Sequence, residues 1–134
     1  MTGRVEETEI VTVLAVDDQP QNLRLLDAVL TPRGHRVVPA SSGEEALRLL
    51  QDGGIDIVLL DIVMPGIDGH ETLRRLRDGV LDSRVPVVAV TALAMTEDKE
   101  RASRAGFDGY LEKPVSPRSL PGQVAGFLEN GGGA

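Results

Sequence analysis

Short aliphatic blocks alternate along the chain with longer segments whose apolar positions recur every three or four residues. Val11 to Val16, Arg36 to Ala40, Ile57 to Leu60, Val85 to Thr91 and Gly109 to Glu112 are too short for helices. Their β-branched and aliphatic content predicts strands, and the central ones read as buried on both faces. Between them lie segments of helical period: Pro20 to Leu30 with Leu23, Leu26 and Leu30, and His70 to Gly79 with Leu73, Leu76 and Val80. A third helix carries Ala46, Leu47 and Leu50, and the last, Leu120 to Leu128, carries Leu120, Val124, Phe127 and Leu128. Thr96 to Ala105 is helical but poor in large apolar groups, with Gly106 as its C-terminal cap.

Local signals agree with these periods. Pro20 suits a first helical turn, and Ser42 with Glu45 makes a capping-box pattern ahead of Ala46. Asp52-Gly53-Gly54 closes that helix, and Asp68-Gly69 marks a turn. Strand and helix therefore alternate five times. Such a βα repeat implies right-handed crossovers and a parallel sheet covered on both faces. The fold class predicted is α/β, a doubly wound three-layer sandwich of flavodoxin-like type. Residues 10–129 make the domain, with a flexible polar tail at 1–9 and a flexible Gly-rich tail at 130–134.

Composition narrows the classes. At 134 residues with 41% hydrophobic content, the chain can bury a core, and with two Phe, one Tyr and no Trp that core is aliphatic. No Cys excludes disulfides and thiolate metal sites, and Met1 to Glu9 is unlike a signal peptide. No apolar run has transmembrane length, so a cytoplasmic protein without a membrane partner is expected. A net charge of −7 argues against direct nucleic-acid binding.

In a parallel sheet the carboxyl ends of all strands lie along one edge, where open α/β sheets build their sites. That edge collects Asp17 and Asp18 after the first strand, Asp61 after the third, Thr91 at the end of the fourth and Lys113 after the fifth. Each alone is commonplace; an Asp-Asp pair after a strand is more often a cap or a solvated turn. Together at strand ends they point to a site. Three converging carboxylates repel one another and need a cation to stay ionised, and oxygen-only ligands favour Mg2+. Beside such an ion Asp61 can act as a carboxylate nucleophile toward a phosphoryl group, with Thr91 and Lys113 balancing charge.

With Asp17-Asp18, Asp61 followed by Met64-Pro65-Gly66 and Asp68-Gly69, Thr91-Ala92 and Lys113-Pro114, the chain resembles the receiver domain of two-component response regulators from about Val11 to Leu128. The resemblance implies a five-stranded parallel sheet in the order 2-1-3-4-5. It implies phosphorylation of Asp61 by a phosphohistidine on a sensor histidine kinase or a histidine phosphotransfer protein. Asp17, Asp18, Asp61 and the backbone carbonyl of Val63 would hold Mg2+, while Lys113 and Thr91 contact the phosphoryl oxygens. Thr91 and Tyr110 would form the switch, Tyr110 turning inward behind Thr91. The chain would then be no enzyme beyond its own phosphorylation and dephosphorylation, signalling to a downstream protein the sequence does not name.

Other readings fit less well. A flavodoxin-type or dinucleotide-binding loop would not carry Asp17-Asp18-Gln19-Pro20, and a carboxylate-nucleophile phosphatase places its Asp on the first strand. A degenerate receiver serving only for docking is opposed by the intact acidic cluster and Lys113. No output element follows Leu128, and the initial Met fits a stand-alone receiver. His35 and His70 read as surface residues. A cis peptide is expected at Lys113-Pro114, because X-Pro bonds carry the only cheap cis state. Pro121 would delete a hydrogen bond in a helix capped by Ser116, so the regular helix should begin at Ser119 or later, with Ser116 to Arg118 as a separate turn. Two positions past Asp61 and Thr91, where receivers guide the attacking water, stand the apolar Val63 and Leu93, which predicts slow self-dephosphorylation.

Overall fold

The computed structural model describes residues 11–80, 85–93 and 95–133; the expected N-terminal tail, 1–9, lies outside them. Five strands, β1 (Thr12–Val16), β2 (Arg36–Ala40), β3 (Ile57–Leu60), β4 (Val87–Thr91) and β5 (Gly109–Glu112), form one parallel sheet in the order β2-β1-β3-β4-β5. The helices are α1 (Pro20–Leu30), α2 (Gly43–Leu50), α3 (Gly69–Arg75), α4 (Thr96–Ala105) and α5 (Leu120–Gly133). None of the described helices is long and apolar enough to cross a membrane.

Alternate residues of the inner strands feed opposite faces. Leu14, Val16, Val58, Leu60, Val87 and Ala89 pack with Ala46, Leu50, Leu73, Leu76 and Ala102 of the helices on one side. Val13, Ala15, Ile57, Leu59, Val88 and Val90 pack with Leu26, Leu30, Leu120 and Val124 on the other. Each fully buried Leu or Ile adds about 1.5–3 kcal/mol, so β3, buried at all four positions, anchors both layers. β2 is half-exposed and carries Pro39, which lacks the ladder donor and is tolerated because β2 is an edge.

Caps set the helix starts. Ser42 Oγ accepts from Glu45 N at 3.0 Å, as the pattern predicts, but the Glu45 carboxylate accepts from Ser41 N at 2.7 Å, one residue beyond the N-cap N–H that a capping box uses. Asp68 Oδ1 accepts from Glu71 N at 2.9 Å to start α3, which loosens into a π-turn over Leu76–Val80 rather than running on as one α-helix. Gly106, at φ 108°, closes α4.

Pro117 to Ser119 form a turn and α5 starts at Leu120, as the missing N–H of Pro121 predicts. α5 winds on through Gly133. Once packed turns supply the nucleus, each further residue adds a hydrogen bond without a new nucleation cost. The Lys113-Pro114 bond is cis, as expected.

At the amino-terminal edge two carboxylates tie the sheet together. Asp56 Oδ2 accepts from Thr12 N at 2.8 Å. Asp108 Oδ2 accepts from Val87 N and from Arg77 Nη2, both at 2.8 Å, while Arg77 Nη1 donates to the Val85 carbonyl at 3.1 Å.

Candidate functional site

The opposite edge gathers the predicted residues. β1 and β3 are neighbours, so Asp17 and Asp61, each one residue past its strand, end side by side. Both are buried, at 3% and 4% exposure, while Asp18 is exposed. One carboxylate oxygen from each of the three lies within 4.8 Å of the others. Lys113 leaves β5 and reaches across, its Nζ at 2.6 Å from Asp17 Oδ2 and 2.9 Å from Asp61 Oδ2.

Burial pushes the Asp61 carboxyl above its ordinary pKa; Lys113 pulls it back down, and the Asp17 charge pushes it up again. Burial also disfavours the Lys113 ammonium, but its hydrogen bonds and ion pairs with Asp17 and Asp61 outweigh this and hold it above the usual lysine value.

The loop after β3 is shaped by glycine. Gly66 has φ 78°, in the left-handed region. Gly69 has no room for a side chain: a Cβ there would sit 2.5 Å from Ile62 Cα and 2.6 Å from the Asp61 carbonyl oxygen. The resulting tight return lets Val63 N donate to Asp61 Oδ1 at 3.2 Å and leaves the Val63 side chain in solvent at 58% exposure.

Thr91 is fully buried at the end of β4, and its Oγ1 accepts from Leu93 N at 3.3 Å. The Leu93 carbonyl in turn accepts from the Tyr110 hydroxyl. Tyr110 is half-buried, its phenol pKa raised by burial and by the Asp98 and Glu112 charges. Lys99 Nζ lies 5.9 Å from its ring centroid and 3.1 Å from Glu112. Thr91 and Tyr110 are thus linked through Leu93, while the acids and Lys113 form the other half of the site.

Both histidines are half-buried rather than plain surface residues: His70 meets Phe107 edge-on at 5.6 Å, and the buried His35 Nδ1 meets no hydrogen-bond partner among the described residues. Sequence reasoning also missed Asn22. Its Nδ2 donates to Asp17 Oδ2 at 3.2 Å, and Gln19 N donates to Asp17 Oδ1 at 2.9 Å. A polar residue in the first turn of a helix that starts just after Asp17 was the available signal.

Residues 13–125 match the response regulator receiver domain family. The chain belongs to that family. Among proteins similar to this receiver, the sensor protein GacS of Pseudomonas syringae is 40% identical over 81% of the chain but only 12% of its own length. The sensor histidine kinase RcsC of Salmonella typhi is 39% identical over 92% of the chain and 13% of its own length. The probable transcriptional regulator ycf27 of Guillardia theta is 39% identical over 87% of the chain and 44% of its own length. The receiver thus spans well under two thirds of each. Its fold matches a CheY-like receiver domain protein of Methanospirillum hungatei at TM-score 0.83 and 28% identity, over 92% of this chain and 97% of that one. The chemotaxis protein CheY4 of Vibrio cholerae matches at TM-score 0.83 and 28% identity, over 89% of this chain and 99% of that one.

Proposed function

We propose that this receiver accepts a phosphoryl group on Asp61 from a phosphohistidine of a sensor histidine kinase or histidine phosphotransfer protein, in the cytoplasm. A carboxylate oxygen of Asp61 forms the new bond to phosphorus, the phosphorus–nitrogen bond breaks, and its electron pair returns to the imidazole. The supporting observation is the placement of Asp61: an inward carboxylate at a sheet edge, 2.9 Å from an ammonium and within 4.8 Å of two further carboxylates.

The donor set suits Mg2+, since it offers only hard oxygen ligands at a spacing one small dication can bridge. Asp17, Asp18, Asp61 and the Val63 carbonyl would hold it, and when bound it neutralises charge on the phosphoryl oxygens. Lys113 already pairs with Asp61, so a turn of its Nζ brings it to a phosphoryl oxygen on the same carboxylate. Thr91, at the end of the neighbouring strand, supplies a hydroxyl that gives up its bond from Leu93 N to donate there. Displacing Leu93 loosens the Tyr110 anchor, and α4, with Ala102 its only buried residue, is free to follow. The altered surface then signals to a downstream protein. The receiver is no enzyme beyond its own phosphorylation and dephosphorylation.

Incubation with a small phosphodonor and Mg2+, followed by intact-protein mass spectrometry, tests this. One phosphoryl group is expected on the parent and none on Asp61→Asn or in the presence of EDTA. Equal labelling of parent and Asp61→Asn would overturn the assignment.

A further inference from the structure

We propose that Asn22 is a positioning residue that fixes the Asp17 carboxylate for metal binding; the inference rests on the Mg2+ reading above. Asp17 carries three hydrogen bonds: Gln19 N on Oδ1 at 2.9 Å, and both Lys113 Nζ at 2.6 Å and Asn22 Nδ2 at 3.2 Å on Oδ2. A carboxylate has about four lone-pair sites, so this set leaves it nearly saturated. A dication held by Asp17 would repel the Lys113 ammonium and weaken its bond to Oδ2. The bond from the uncharged Asn22 amide would keep its strength and hold that oxygen in place.

Its chemistry fits that task. The amide of Asn22 carries no charge, so it orients Asp17 without competing with the cation, as an Arg or Lys there would. The small cavity beside Asp17 and Asn22 is otherwise lined by the apolar Leu25, Leu26, Val90, Pro114 and Val115 and by Lys113, so apart from the charged Lys113 its walls offer no other side-chain donor. Asn22 is itself steered, its Nδ2 also reaching Gln19 Oε1 at 3.3 Å, so the first turn of α1 presents the amide in a set direction. Hydrogen-bond partners of metal ligands commonly contribute about 10–100-fold in affinity.

Calorimetric titration of Mg2+ into the full chain tests this with Asn22→Leu, which keeps the size and loses the donor, and Asn22→Ala. Metal-free melting curves are run beside them. Both variants are expected to bind Mg2+ about ten-fold more weakly than the parent, with metal-free melting temperatures close to the parent's. Parent-like affinity in both variants overturns the inference while leaving the metal site standing. A large fall in metal-free melting temperature with unchanged affinity shows a structural role and also overturns it. No Mg2+ binding by the parent itself removes the metal reading, and this inference with it.

Discussion

Asp61→Asn separates what the acidic site does for chemistry from what it does to stability. In the metal-free protein the Asp61 carboxylate lies 2.9 Å from Lys113 Nζ, an attraction of about 6 kcal/mol at an effective dielectric of about 20. Asp17, within 4.8 Å, opposes it by about 3.5 kcal/mol on the same scale. Asp18 is exposed and adds a smaller repulsion. The charges leave a net attraction of at most about 2.5 kcal/mol, and the cost of burying Asp61 outweighs it, which is why its pKa is raised. A carboxyl raised in the folded state stabilises the fold below its unfolded pKa and loses that contribution as pH climbs through the folded value. The amide has no charge to bury and still offers Lys113 an acceptor oxygen. At pH 7 without metal, Asp61→Asn is therefore expected to be more stable by on the order of 1 kcal/mol, about 4 °C in melting temperature. The gain should shrink toward zero as pH falls to the ordinary carboxylate range, where the parent's Asp61 is protonated too. Paired thermal melts in EDTA at several pH values measure it. A variant clearly less stable than the parent at pH 7, or a difference that ignores pH, would refute the argument.

Two further outcomes are expected. Val63→Asn and Leu93→Glu should each shorten the life of phosphorylated protein by about ten-fold, because a polar side chain can then hold the attacking water; decay of the phosphorylated mass after donor removal measures this, and unchanged rates would show that solvent arrives by another path. Gly69→Ala should cost about 2–3 kcal/mol in urea unfolding, because its Cβ would meet backbone atoms of Ile62 and Asp61 that cannot step aside; a parent-like midpoint would mean the β3–α3 loop is looser than it looks.

The element order and the strand-edge chemistry were legible because both rest on local periods. Ile57 to Leu60 could only be a strand buried on both faces, and that placed Asp61 at an edge. The late start of α5 was legible for the same reason, since Pro121 acts on its own backbone. What escaped depends on distance across the fold. Nothing near Gly109 announces that a Cβ there would strike the Phe127 ring, nor near Gly43 that it faces Thr72 Oγ1. Asn22 was missed because which face of α1 looks down on Asp17 is settled by packing of Leu26 and Leu30, not by the first turn. The π-turn at Leu76–Val80 has no strong local sign either. It accompanies the reach of Arg77 to Asp108, 31 residues away.

The two ends of the sheet are wired on different terms. At the amino edge, Asp56 and Asp108 grip backbone N–H groups of β1 and β4, and Arg77 braces the second grip. None of those partners has any stake in what happens at Asp61. At the carboxyl edge, the cross-links among β1, β3 and β5 run through Lys113, whose allegiance is divided between two acids and is open to any new anion. One end is therefore a ruler and the other a pointer. On the phosphorylation proposed at Asp61, the pointer would swing while the ruler's own ties, all at the far edge, take no part.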